Sequence, residues 1–117
     1  MQEIKAFIRQ HRNADALQAL RQSGLCELAT PDASCHNITV SQGQRPLAST
    51  DPTQRHYSMD LAEAVVTEYK LELACADDIA DALVDAIAKA AQTGQTGASW
   101  ILVSDIQRAV EVRRGGQ

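Results

Sequence analysis

Aromatic side chains are nearly absent from this chain: one Trp, two Tyr and one Phe make up 3% of 117 residues. With 44% of residues apolar, the core has to be aliphatic and alanine-rich, without an aromatic cluster. Long apolar runs are missing too. Nothing approaches the ~20 residues of a membrane helix, and MQEIKAFIRQ lacks the apolar run of a signal peptide. A soluble cytoplasmic protein with no membrane insertion is expected. Positive charge is in deficit, with 11 Lys and Arg against 15 Asp and Glu, a formal charge of −4. That excludes general nucleic-acid binding, which needs a basic face to neutralise phosphates. Cysteine is scarce and odd in number, at Cys26, Cys35 and Cys75, so no disulfide scaffold is expected. Cys75 ends an alternating strand and is assigned to the core. Cys26 and Cys35 are read as packing thiols. A metal site with the adjacent His36, or a regulatory pair, can also be drawn, yet neither spacing nor ligand count fits a zinc pattern. His11, His36 and His56 stand in no constellation with a nucleophile, which argues against an enzyme.

What is present fits one domain, residues 1–117. Glu3 to Arg9 alternates as a strand, with Ile4, Ala6 and Ile8 on one face. Asn13 stands where an N-cap belongs, Ala16, Leu17 and Leu20 form a helical stripe, and Gly24 is placed as a C′ glycine, giving a helix over Ala14 to Ser23. Leu25 to Ala29 and Ile38 to Ser41 each fit a strand, on either side of a turn at Pro31 to Ser34, and the pattern does not choose between them. From Gly43 to Ala64 no period survives, and a long loop, functional or disordered, is expected. Val65, Thr67, Tyr69, Leu71 and Leu73 then alternate as a half-buried strand. Asp77 and Asp78 start a helix that buries Ile79, Ala82, Leu83, Ala86, Ile87 and Ala90 and ends at Gly94. Trp100 to Ser104 forms another strand, and Ala109 to Arg113 a last short one. The sum is an α+β chain of ferredoxin-like βαββαβ order with a short extra C-terminal strand. Its open sheet face calls for oligomerisation.

The stretch KAAQTGQTGASWILV carries the densest signal. Gly94 and Gly97 flank Gln95 and Thr96 at a helix end, where backbone takes φ values other residues avoid. The exposed N–H groups of such a turn can cradle an anion. By itself the spacing also fits a plain helix-to-strand connection.

Together with the order of elements, AQTGQTGASWILV, ADDIADALVDAI, the Ile4–Ala6–Ile8 strand and the tail AVEVRRG resemble the PII signal-transduction family. The resemblance spans nearly the whole chain outside residues 25 to 64. It implies a compact homotrimer with adenine-nucleotide clefts between subunits. The B-loop of one chain, Thr93, Gly94, Gln95, Thr96, Gly97, Ala98, Ser99 and Trp100, would face the tail of its neighbour, Arg113 and Arg114. The long loop, about residues 43–64, corresponds to the T-loop that engages a target protein. ATP, ADP and in many members 2-oxoglutarate bias that loop.

The departures bear on phosphate. The family pattern expects acidic, small and basic residues where this chain has Ala98, Ser99 and Trp100, and an arginine where it has Glu111. Less positive charge remains for outer phosphates, so ADP or AMP is expected to bind better than ATP. Trp100 packs at a subunit boundary or stacks near ligand; Arg45 and Arg55 are read as solvated loop charges. The modifiable tyrosine and the glutamine that meets 2-oxoglutarate have no aligned counterpart, and Tyr57 sits in QRHYSMD. Length and degenerate loops are similar to a carboxysome-associated PII-like group tied to bicarbonate. That resemblance implies a role in inorganic-carbon metabolism, with bicarbonate as a second effector and a bicarbonate transporter as target. The alternatives are a nitrogen-type PII regulator and a trimeric metal-tolerance-like protein using Cys26, Cys35 and His36.

Overall fold

A computed structural model describes residues 1–26, 35–46, 55–92 and 99–112. The strands are β1 (Gln2–Arg9), β2 (Cys35–Pro46), β3 (Arg55–Ser58), β4 (Glu63–Cys75) and β5 (Trp100–Asp105); the helices are α1 (Asn13–Ser23) and α2 (Ala80–Ala91), each entered through a short 3-10 turn. All pairings are antiparallel, in the order β2-β4-β1-β5, with β3 paired to β4. This is the ferredoxin-like arrangement, with both helices on one face of the sheet.

The alternation of β1 decides which face is which. Ile4, Ala6 and Ile8 are fully buried and meet Leu73, Leu71 and Tyr69 across the β4 ladder. Helix α1 adds Ala16 and Leu20, and α2 adds Leu83 and Ile87. The core is aliphatic, as the composition requires. Gly24 closes α1 with φ 71°, the left-handed value that favours glycine.

Several boundaries differ from expectation. Asn13 is inside α1, because the turn Gln10–Arg12 brings the chain in helical, and no side chain caps either helix. The Asp77 carboxylate instead takes the N-terminal ammonium at 2.6 Å, which with its hydrogen bonds holds its pKa below the usual carboxylate range. The buried stripe of α2 is Ala80, Leu83, Ile87 and Ala91, and Ala82 is exposed. Helix α2 ends at Ala91; Gly94 lies outside the described residues, as does most of the strand drawn over Leu25 to Ala29. Within residues 43–64, β2 runs on to Pro46 and β3 pairs with β4, so the described part is largely ladder. Residues 106–112 form no strand, since the short alternation there finds no neighbouring strand among the described residues. Cys26 and Cys35, read as packing thiols, are joined as a disulfide, and Cys75 is a buried free thiol.

Candidate functional site

Among the described residues the second sheet face carries no helix, and its side chains fall in rows set by the register. One row is Ser41, Lys70, Phe7 and Trp100; the next, one step toward the loop, is Gly43, Glu68 and Arg9. Arg45 follows beside Val66. At this end of the sheet β1 stops, β5 begins, and β2 and β3 hand the chain to residues 47–54. Sequence-distant segments thus converge because four strand ends coincide.

The electrostatics of that end are unusual for a strand terminus. Arg9 is only 2% exposed, and its Nε and Nη1 have no hydrogen-bond partner among the described residues. Burial pushes the Arg9 guanidinium below its ordinary pKa, Arg45 pushes the same way, and Glu68 opposes both. Glu68 forms an ion pair with Arg45 at 2.6 Å, with both side chains mostly buried. Among the described residues the guanidinium groups of Arg9 and Arg45 thus gather around the Glu68 carboxylate. A buried cation with idle N–H donors suits an anionic ligand, since each unmade bond is a desolvation penalty that a carboxylate, bicarbonate or phosphate oxygen would relieve. Gly43 leaves room above Glu68: a Cβ built there would meet no atom within 4 Å.

Of the residues predicted from sequence, Ser99 and Trp100 reach this end. Ser99 is half-buried, and its Oγ is buried without a partner among the described residues. Trp100 opens β5 opposite Phe7, 59% exposed on the helix-free face. Thr93, Gly94, Gln95, Thr96, Gly97 and Ala98 lie outside the described residues, as do Arg113 and Arg114. The segment leading to those arginines is at the other end of the sheet. Val110 and Val112 line a cavity of about 850 Å³ with Met1, Glu3, His36 and Glu72. The six residues of β5 separate the two ends by about 20 Å.

Sequence alone does not single out Arg9 or Glu68, and it gives Arg45 as a solvated loop charge. A faint signal existed: Arg9 and Glu68 both occupy the helix-free positions of their strands. Their burial, however, comes from the crossing of strands and leaves no local mark. The metal reading using Cys26, Cys35 and His36 is overturned, because both sulfurs are spent on the bridge. Among the described residues no group of His, Cys, Asp and Glu could hold a metal ion. No helix there is long and apolar enough to cross a membrane.

No protein-family model matches the chain. Over nearly its full length it is nevertheless similar to curated regulators. It is 31% identical to nitrogen regulatory protein P-II 2 of Methanothermobacter thermautotrophicus, covering 98% of this chain and 91% of that one. To nitrogen regulatory protein GlnK2 of Haloferax mediterranei it is 30% identical, over 96% and 83%. To nitrogen regulatory protein P-II of Mesorhizobium japonicum it is 28% identical, over 98% and 94%. Matched at this level from end to end, and built on the ferredoxin-like sheet described above, the chain belongs to the P-II family, regulators of signalling and not enzymes.

Proposed function

We propose that this P-II protein is an adenylate-responsive switch. Its B-loop end holds ADP or AMP in preference to ATP, and its Arg9 cluster takes a small carboxylate or bicarbonate anion. The observation that carries the reading is the buried, under-partnered Arg9 at the strand end where the B-loop exit, Ser99–Trp100, meets the roots of the long loop. An anion bound there would touch the strand ends that hold the loop, so ligand and loop share one equilibrium. The target protein reads the loop.

Ser99 and Trp100, just after the B-loop, and Val110 and Val112, which lead toward the tail, sit at opposite ends of one sheet, which supports a site built from two copies, the tail of one reaching the B-loop of the next. Exposed Trp100 and Leu102 on the helix-free face, 59% and 52% exposed, give those copies an apolar surface to bury. A homotrimer satisfies both. The phosphate preference rests on charge. Trp100 and Glu111 stand where the family carries cations, and each lost phosphate contact costs about 1–2 kcal/mol. Bicarbonate as the anion, with a bicarbonate transporter as the target, places the protein in inorganic-carbon metabolism. The curated relatives' nitrogen-regulatory names favour the second reading, a nitrogen regulator with 2-oxoglutarate at the same cations.

Isothermal titration with AMP, ADP and ATP, each alone and with bicarbonate or 2-oxoglutarate, tests both. AMP or ADP binding tightest, with bicarbonate tightening it further, supports the inorganic-carbon reading. Tightening by 2-oxoglutarate alone transfers the anion site to the nitrogen reading, and ATP binding tightest refutes the phosphate argument.

A further inference from the structure

All three cysteines meet at one corner of the core. Cys35 is the first residue of β2, 1% exposed, and is bridged to Cys26 just beyond the end of α1, with Cα atoms 5.1 Å apart. Directly across the β2–β4 ladder from Cys35 is Cys75, a free thiol with no exposure. Residues directly opposed in an antiparallel pair have Cα atoms about 4.5–5.5 Å apart, inside the span of roughly 4.4–6.8 Å that a disulfide bridges. Cys35 therefore has two partners within covalent reach, one used and one idle.

We propose that Cys26, Cys35 and Cys75 form a thiol–disulfide exchange site in which Cys35 is shared, bridged to Cys26 in one state and to Cys75 in the other. The Cys75 thiol loses its proton to solvent, and its thiolate attacks Cys35 Sγ. The Cys35–Cys26 bond breaks, and its electron pair leaves on Cys26 Sγ, which takes up a proton. One S–S bond forms and one is lost, so no oxidant or reductant is consumed. The geometry of the leaving side favours this direction of attack. Cys26 is only half-buried and lines a surface hollow of about 120 Å³, so a thiolate departing there meets solvent, whereas Cys75 is fully enclosed. Burial pushes the Cys75 thiol up, reinforced by Asp77 and Asp78 and opposed by the N-terminal ammonium, so the first state persists and exchange is slow.

The two bridges constrain different things. The first ties the end of α1 to the start of β2. The second staples β2 to β4 beside the irregularity between His36 and Thr39, on the strand that runs to Pro46. It also sets free a thiol at Cys26. Disulfides that form in reducing compartments are as a rule transient or redox-sensing, which suits a pair that can relocate.

The test uses the full-length protein, prepared with oxidised glutathione, incubated folded with N-ethylmaleimide and mapped by peptide mass spectrometry. Cys26 is expected to label over minutes to hours while a Cys35–Cys75 peptide accumulates. In Cys75→Ala, circular dichroism confirming the fold, Cys26 labelling slows about tenfold or more, because no internal thiol remains to release it. In Cys26→Ser, oxidised glutathione yields a Cys35–Cys75 bridge. The proposal is overturned by equal Cys26 labelling with and without Cys75, or by Cys35 and Cys75 that stay free or become separately glutathionylated in Cys26→Ser. The wild-type comparison decides the matter even if Cys26→Ser does not fold.

Discussion

Replacing Arg9 with methionine separates stability from ligand binding more sharply than any other single change. Methionine keeps the unbranched stem and removes the charge with its N–H groups. In the folded chain Arg9 is 2% exposed, with Nε and Nη1 unpartnered among the described residues. Each buried, unmade N–H bond costs about 1–3 kcal/mol, so the pair represents about 2–6 kcal/mol. Attraction to Glu68 returns much of that, and Arg45 takes some away. The substitution does not orphan Glu68, which keeps its ion pair with Arg45 at 2.6 Å. A net stabilisation of about 1–2 kcal/mol is expected, and at about 4 °C per kcal/mol for a domain of this size the melting temperature rises by roughly 4–8 °C. The assay is a thermal melt in low-salt buffer free of carboxylate, phosphate and bicarbonate, repeated with each anion added. Wild type gains about 1.4 kcal/mol at an anion concentration tenfold above its Kd, and Arg9→Met gains nothing. A variant that melts lower than wild type, together with a wild type indifferent to every anion, refutes the view of Arg9 as an unmet cation.

Two further substitutions address the proposed nucleotide end and the loop root. Trp100→Lys returns a cation to the B-loop exit and is expected to tighten ATP by roughly 5- to 30-fold, the equivalent of about 1–2 kcal/mol, while leaving AMP nearly unchanged; competition calorimetry reads the ratio. Ser58→Ala removes a hydroxyl that is 3% exposed, donates to Gln44 Oε1 at 2.8 Å and accepts the Leu61 N–H at 3.3 Å. It should cost about 1–2 kcal/mol, read by hydrogen exchange as faster opening of residues 55–63 with the helices unaffected.

The parts of the fold readable in sequence are those where the side-chain pattern and the backbone answer to the same core. β1 and β4 alternate because one face packs on the helices, and Gly24 stands out because only a left-handed residue ends α1 there. β2 is different. From Gln42 to Pro46 it is held by backbone pairing with β4, and its side chains are polar, so no period marks it. Asp77 and Asp78 looked like caps because acids at helix starts commonly are; in the fold the nearest unsatisfied cation, the N-terminal ammonium, claims Asp77. The strand that opens at Trp100 is legible in the sequence, but the Arg9 cluster is not, since its burial is created by Glu68 and Arg45 arriving from β4 and β2. The Cys26–Cys35 bridge is equally silent in sequence: a separation of nine residues fits many loops, and only the return of β2 to the end of α1 brings the sulfurs together.

Val65 and Val66 are each paired on both sides, to Pro46 and Arg45 of β2 and to His56 and Arg55 of β3. The two feet of the long loop thus straddle one strand, two ladder spacings or about 10 Å apart. They work as a stirrup. A pull on either foot meets ladder hydrogen bonds to the same strand, so the feet cannot spread while both ladders hold. The four-residue β3 is the shorter of the two and is the side that gives first. Spreading the feet costs the β3 ladder, which ties the length of reach, and not only the shape of the loop, to the pairing of four residues.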